Sequence, residues 1–313
     1  MKILTRALPA CLAAALVFIS ASCNKKTPVS DVSTAETTAA SAVPAEYTSQ
    51  VKVLCYNVYY QDVGRRQSDI IDFIKSVDAD VMGLQEVTSE WRPYINSGLV
   101  DTGQYAAFGY NRMGVAWEDM EKAPGDKEFN VILYKVDKYE LVKKGHFWIS
   151  TTPNVYSAQI EGGIISQTPR CINWVLLKDK STGGEFVFLN AHLDAYSTPV
   201  QNFSTKLITE QMKPYVQKYP VVLVGDWNSQ PSSTAIRYFI DNGYENARYI
   251  AEETTNLGTY QAFGSLKENE WKAGDIILVN KGKSYVKKFD VLLAMKNGEH
   301  LSDHNPLVME MHY

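Results

Sequence analysis

Five short apolar runs of this sequence end or begin in groups that hold metal ions or move protons. VKVLCYNVYY delivers Asn57, DADVMGLQEV delivers Glu86, and GEFVFLNAHLDAYS offers Asn190, His192 and Asp194 at alternate positions. YPVVLVGDWNSQPSS ends in Asp226 and Asn228, and LSDHNPLVMEMHY opens with Asp303 and His304. Carboxylates and imidazoles are costly to bury, so folding alone gives little reason to set them beside core-forming residues. A single strand-terminal Asp or Asn is ordinarily a turn former or helix cap. Five such runs, carrying two of the chain's five histidines, weaken that plain explanation. Oxygen donors without thiolates suit Mg²⁺, Mn²⁺ or Ca²⁺ better than structural zinc. Mg²⁺ uses only one or two carboxylates, keeps several waters and pairs naturally with phosphate, while histidines beside it transfer protons near neutral pH. The chemistry these residues imply is metal-assisted hydrolysis of a phosphate ester.

Such groups work together only if their strands lie side by side. From about Thr48 onward, runs rich in Val, Ile, Leu and Phe alternate with helical patterns such as QSDIIDFIKSV and with turns marked by Gly, Pro, Asn and Asp. This α/β pattern brings strand ends to one sheet edge, where such folds place ligands. If the strand through GEFVFLNAHLDAYS continues to Asp194, then Asn190, His192 and Asp194 share one face. DTGQYAAFGYNRMGVAWEDMEKAPGDKE, residues 101–128, has aromatics without a period and is expected to be a long loop. Trp117, Trp148 and Trp227 are expected in the core rather than lining a pocket. With no internal repeat and no shift of composition, one domain spans 48–313.

The 313 residues are 45% hydrophobic and 21% charged, which is globular composition. The formal charge is −4, and the first 22 residues carry Lys2 and Arg6 with no acid, so residues 23–313 are more acidic still. A globally basic nucleic-acid platform is excluded. MKILTRALPACLAAALVFISASC has the plan of a secretory signal over 1–22, with an apolar run shorter than the ~20 residues of a bilayer span. Its ISASC ending resembles a bacterial lipobox with Cys23 as the acylated residue, although Ser20 stands where such boxes prefer Leu; ordinary signal-peptidase cleavage is the other reading. Residues 23–47, rich in Thr, Ser, Ala and Pro, form a disordered tether with a reach on the order of 25–30 Å. The expectation is an exported protein, on a bacterial surface or in the periplasm as a lipoprotein, or secreted. Cys55 and Cys171 sit in strand-like runs and are expected to be buried free thiols, with a single disulfide as the alternative.

CYNV, LQEV, NAHLD, GDWNS, GDIILV and SDHNP, in this order, resemble the endonuclease/exonuclease/phosphatase superfamily, which contains DNase I-like nucleases, inositol polyphosphate phosphatases, neutral sphingomyelinases and deadenylases. The likeness spans about 51–313, and EFNVILYK, GHFWISTTP, PRCINWVLL and GTYQAF are similar to an exported bacterial subgroup of unsettled substrate. The resemblance implies a four-layer sandwich of two packed mixed β-sheets flanked by helices. It makes Glu86 the principal metal ligand, with Asn57, Asp226 and Asp303 as further metal-side groups. It gives His192, Asn228 and Arg170 to the substrate phosphate, and Asp226 and Asn228 to the attacking water. Asp275 would hold His304, and Glu128 is a further candidate. The implied cofactor is Mg²⁺, or Mn²⁺.

The implied substrates are nucleic acid, a lipid head group or a sugar phosphate, met by a monomer tethered to membrane through its lipid anchor. Three departures touch substrate contacts: Ala195 stands where a second His usually follows HLD, Lys206 is the sole nearby base where an Arg is usual, and Ile276 replaces an aromatic after Asp275. A different class of reading, an inactive surface lipoprotein using the fold for ligand binding or adhesion, would predict losses among Glu86, His192, Asp226, Asn228 and His304. All five are present.

Overall fold

The apolar runs become strands and the amphipathic runs become helices in a computed structural model that describes residues 42–61, 64–122 and 128–313. The expected signal segment, Cys23 and the tether as far as residue 41 lie outside the described residues. In chain order the strands are β1 (Gln50–Asn57), β2 (Val81–Val87), β3 (Tyr105–Phe108), β4 (Phe129–Lys135), β5 (Tyr139–Trp148), β6 (Cys171–Asp179), β7 (Glu185–His192), β8 (Val221–Asp226), β9 (Tyr244–Asn246), β10 (Glu253–Thr254), β11 (Asp275–Asn280), β12 (Tyr285–Val291), β13 (Met295–Lys296), β14 (Glu299–His300) and β15 (Leu307–His312). The α-helices are α1 (Gln67–Val77), α2 (Arg92–Ile95), α3 (Thr198–Val216), α4 (Thr234–Asp241) and α5 (Ala247–Ile250).

One sheet has the order β10-β12-β15-β1-β2-β4-β3 and the other β5-β6-β7-β8-β11-β9. Each is mixed, with a parallel pair at its centre, β1 with β2 and β7 with β8, between antiparallel neighbours. Their inner faces meet through Val53, Cys55, Val81 and Met309 from the first and Phe188, Val222, Val224 and Ile277 from the second. Helices cover the outsides. On the first sheet Ile70, Ile71 and Ile74 of α1 pack with Leu54, Met82 and Leu84. On the second, Val200, Ile208 and Met212 of α3 and Phe239 of α4 pack with Leu189 and Leu223. The result is the expected four-layer α/β sandwich. Each fully buried aliphatic side chain contributes about 1.5–3 kcal/mol, so the stripe on α1 ties that helix firmly to its sheet.

Two polar side chains pin the sheets together behind the strand ends. Gln85 Nε2 donates to Asn190 Oδ1 at 2.7 Å, and Asn190 Nδ2 donates to the carbonyls of Leu84 and Val131 at 3.0 and 2.8 Å. Asn190 thus serves the interior. Gly83 is required opposite it, because a Cβ there would press on Val224 and on the Asn190 side chain.

Two sequence expectations change. Residues 101–128 are not one loop: they contain β3, a tight bridge of Tyr110 with Ala116, and a 3-10 turn over Trp117–Lys122. Strand β7 stops at His192, so Asp194 does not share its face. The Asp194 carboxylate instead accepts from the backbone of Tyr196 and Ser197 at 2.8 and 2.7 Å, which turns the chain toward α3. Trp117, Trp148 and Trp227 are buried, and Cys55 and Cys171 are buried free thiols. Among the described residues no helix is long and apolar enough to cross a membrane.

Candidate active site

Strand register brings the chemistry-bearing residues to one end of the sandwich. His192 and Asp226 are register partners at the ends of β7 and β8, and Asp226 also faces Asp275 at the start of β11. The first sheet contributes Asn57 from the end of β1 and Glu86 from β2, where the register with β4 slips between Leu84 and Val87. That bulge re-aims Glu86, which has a left-handed backbone at φ 61°. Such a conformation costs a non-glycine residue about 1–2 kcal/mol. It is held by hydrogen bonds from Asn57 Nδ2 to Oε1 and from the Tyr60 amide to Oε2, both 3.1 Å. Ser302 couples the last motif to the first strand: its hydroxyl donates to the Asn57 carbonyl at 2.7 Å and accepts from the His304 amide at 3.2 Å.

Asp226 is the centre of the arrangement. Asn57 Nδ2 bridges it to Glu86, lying 3.1 Å from an oxygen of each carboxylate, and the Asn228 amide donates to its other oxygen at 2.9 Å. Asn228 is also left-handed, φ 48°, and its side-chain amide donates to the Leu193 carbonyl at 3.1 Å. Gly225 is needed just before, because a Cβ would collide with the Ala191 carbonyl. His192 Nε2 and His304 Nε2 lie 3.7 and 3.8 Å from Asp226 Oδ2. Burial opposes ionisation of Asp226, yet His304 and His192 beside it, with the Asn228 and Asn57 hydrogen bonds, hold its carboxyl below the usual range.

His304 Nδ1 meets Asp275 Oδ2 at 2.7 Å, both side chains buried. Burial works against the imidazolium, but the charge and hydrogen bond of Asp275, with Asp226 and Asp303, push its pKa up to about 10. Burial and the neighbouring Asp226 charge raise the Asp275 carboxyl. Asp303 is raised to about 6, first by burial and then by the charges of Glu86 and Asp226, against the pull of His304. His192 Nδ1 lies 3.4 Å from Glu128, which also pairs with Arg112 and sits 3.6 Å from Arg170. Burial would raise Glu128, but His192, Arg112 and Arg170 hold it at about 2.

These residues line one cavity of about 700 Å³ that includes Glu86, Glu128, Arg170, His192, Asp226, Asn228, Asp303 and His304. Asn57 and Asp275 lie immediately behind it, so every site residue that the family resemblance implies within the described part falls in or against one site. Sequence reasoning did not find Arg112, Tyr60, Tyr260 or Lys272, which line the same cavity. Arg112 and Tyr60 carry no signal of periodicity, and Lys272 lies in the irregular approach to β11.

Ligand atoms of Glu86, His192 and Asp226 lie within 4.8 Å of one another, and the same holds for Asp226, Asp275 and His304. Burial raises Asp303 first, and the charges of Glu86 and Asp226 add a repulsion that a divalent cation relieves. An oxygen-rich donor set at partial burial therefore fits a hard ion of the Mg²⁺ or Mn²⁺ kind.

The model of the endonuclease/exonuclease/phosphatase family matches residues 54–304. A family member of known structure from Bacteroides thetaiotaomicron is 26% identical, with a TM-score of 0.74 over 85% of this chain and 98% of its own. A mannosyl-6-phosphatase of the same organism is likewise 26% identical, with a TM-score of 0.73 over 84% of this chain and 100% of its own. Protein angel of Drosophila melanogaster is 22% identical, over 75% of this chain and 69% of its own.

Proposed function

The chain belongs to the endonuclease/exonuclease/phosphatase family, and on that premise we propose that it is an exported, Mg²⁺-dependent hydrolase of phosphate esters, tethered to membrane through Cys23 and acting as a monomer. The observation that carries the phosphate reading is Arg170. Its side chain is buried and lines the cavity, yet among the described residues Nε and Nη1 have no hydrogen-bond partner, Nη1 only approaching Glu128 at 3.6 Å. A guanidinium left so poorly satisfied at low exposure calls for an anion in the space it faces.

The roles follow from position. Asp226, ionised and fixed by Asn57 and Asn228, orients the attacking water and takes its proton. His304, charged and held by Asp275, donates a hydrogen bond to oxygen that gains charge as the ester bond breaks. His192 and Arg170 bind the non-bridging oxygens on the opposite side. A divalent cation at Glu86, with Asp226 and Asp303 beside it, would supply neutralisation of phosphate charge. Asn57, expected on the metal side, instead orients the carboxylates, because its Nδ2 donates to both Glu86 and Asp226 while its Oδ1 accepts from the Tyr59 amide. Attack by water in line with the leaving alkoxide yields the alcohol and the shorter phosphate.

The mannosyl-6-phosphatase likeness makes phosphorylated sugars the first substrates to try. Purified protein is assayed on sugar phosphates, p-nitrophenyl phosphate, bis-p-nitrophenyl phosphate, DNA, RNA and sphingomyelin with Mg²⁺, Mn²⁺ or EDTA. Turnover of at least one ester, abolished by EDTA, is expected. Failure on every ester, or activity indifferent to EDTA, overturns the reading.

A further inference from the structure

Arg112 stands at the tip of the turn that Tyr110 and Ala116 close. Its backbone is held on both sides: the amide donates to the Glu128 carbonyl at 3.3 Å, and the carbonyl accepts from the Trp148 indole at 2.9 Å. Asn111 Oδ1 accepts from the amides of Met113 and Val115, each at 2.9 Å, so the turn is braced from within. The Arg112 side chain is 15% exposed and lines the cavity beside Arg170 and His192. Nη2 is bound to Glu128, whereas Nε and Nη1 have no hydrogen-bond partner among the described residues.

One carboxylate therefore serves two guanidinium groups. Glu128 pairs with Arg112 and approaches Arg170 at 3.6 Å, and among the described residues no second acid is in an ion pair with either. The two guanidinium groups line the same cavity as Glu86, Asp226 and Asp303, and Arg170 keeps unused donors there. A phosphate held in this cavity can present its terminal oxygens to both guanidinium groups. A monoester offers three terminal oxygens and a charge of about −1.5 to −2 near neutral pH. A diester has one terminal oxygen fewer and a single charge.

We propose that Arg112 is a specificity-determining residue: with Arg170 it forms a two-guanidinium clamp on the substrate phosphate and makes phosphomonoesters the preferred substrates. The reaction is addition of water oxygen to phosphorus with cleavage of the one P–O–C link, giving an alcohol and inorganic phosphate. The inference rests on the phosphoester reading above for its kinetic arm and is independent of it for its binding arm.

The test compares wild type, Arg112→Gln and Arg112→Lys on p-nitrophenyl phosphate and bis-p-nitrophenyl phosphate, with calorimetric titration of inorganic phosphate in Mg²⁺ buffer. Wild type is expected to favour the monoester. In Arg112→Gln, kcat/KM for the monoester falls about ten- to a hundredfold, the range of a lost charge-assisted hydrogen bond, and the diester loses at least tenfold less. Phosphate affinity falls in parallel with the monoester, and Arg112→Lys restores part of both by returning the charge without the fork. Equal losses on the two esters assign Arg112 to support of Glu128 and overturn the clamp, as does a wild type that favours the diester. If wild type cleaves neither of these two esters, phosphate binding alone decides: affinity unchanged in Arg112→Gln, or no binding by wild type, overturns the inference.

Discussion

Two imidazole–carboxylate pairs approach the same oxygen of Asp226, at 3.7 and 3.8 Å, and they are built differently. The His304–Asp275 pair is sealed: a 2.7 Å contact between buried partners, in which the Asp275 charge and hydrogen bond push the imidazole pKa up. The His192–Glu128 pair is open. Its 3.4 Å approach lies on the cavity wall, and Glu128 divides itself among His192, Arg112 and Arg170. A fixed charge belongs where the same reacting atoms return in every turnover, and a shared carboxylate belongs where different substrates must be accommodated. Under the function proposed above, the sealed pair would serve the chemical step and the open pair substrate binding.

The comparison can be broken at several points. His304→Ala removes the sealed pair and is expected to lower kcat on any accepted ester by on the order of 10³–10⁴-fold, with circular dichroism unchanged. Glu86→Gln should likewise abolish metal-dependent turnover and raise the Mg²⁺ concentration needed for protection against heat. Retained activity in either variant sinks the role given to that residue. His192→Gln, on the open side, should cost less, on the order of 10²-fold, because it deletes one donor among several.

Smaller effects sharpen the contrast through pH. Glu128 has a folded pKa depressed to about 2, so the stability it contributes is complete above its unfolded value of about 4.3 and lost as pH falls toward 2. Glu128→Gln should therefore melt below wild type at pH 6, with the gap closing at pH 3, by on the order of 2 kcal/mol in all. Asp303 shifts the other way. Its folded pKa of about 6 makes the ionised form a burden above that pH. In EDTA, Asp303→Asn should raise the melting temperature at pH 8 by a few degrees, and the gain should vanish below pH 4.

Much of the site was legible because its components sit where apolar runs stop or start, a property of short stretches of sequence, while Asp275, Arg170 and Glu128 were implied only by the family resemblance. Asn57, Glu86, His192, Asp226 and His304 could be picked out one strand at a time; register then set His192 and Asp275 on either side of Asp226. Asp194 was harder to place, because whether β7 ran two residues further depended on its own carboxylate capping the following amides. Arg112 was not legible at all. It lies in an aperiodic stretch, and its position depends on Trp148 and Glu128, 36 and 16 residues away along the chain. The fold class could be read for the same reason as the site: alternation of strand and helix patterns is local, whereas the bridge inside 101–128 is not.

The Gln85–Asn190 brace has a consequence for how the enzyme comes into being. Half of the catalytic groups ride on each sheet, and sliding one sheet past the other by a residue would strand two primary amides in a dry interior, at about 1–3 kcal/mol apiece. The brace acts as a keyway that admits a single alignment. Closing the sandwich and aligning the two halves of the site are therefore one and the same act.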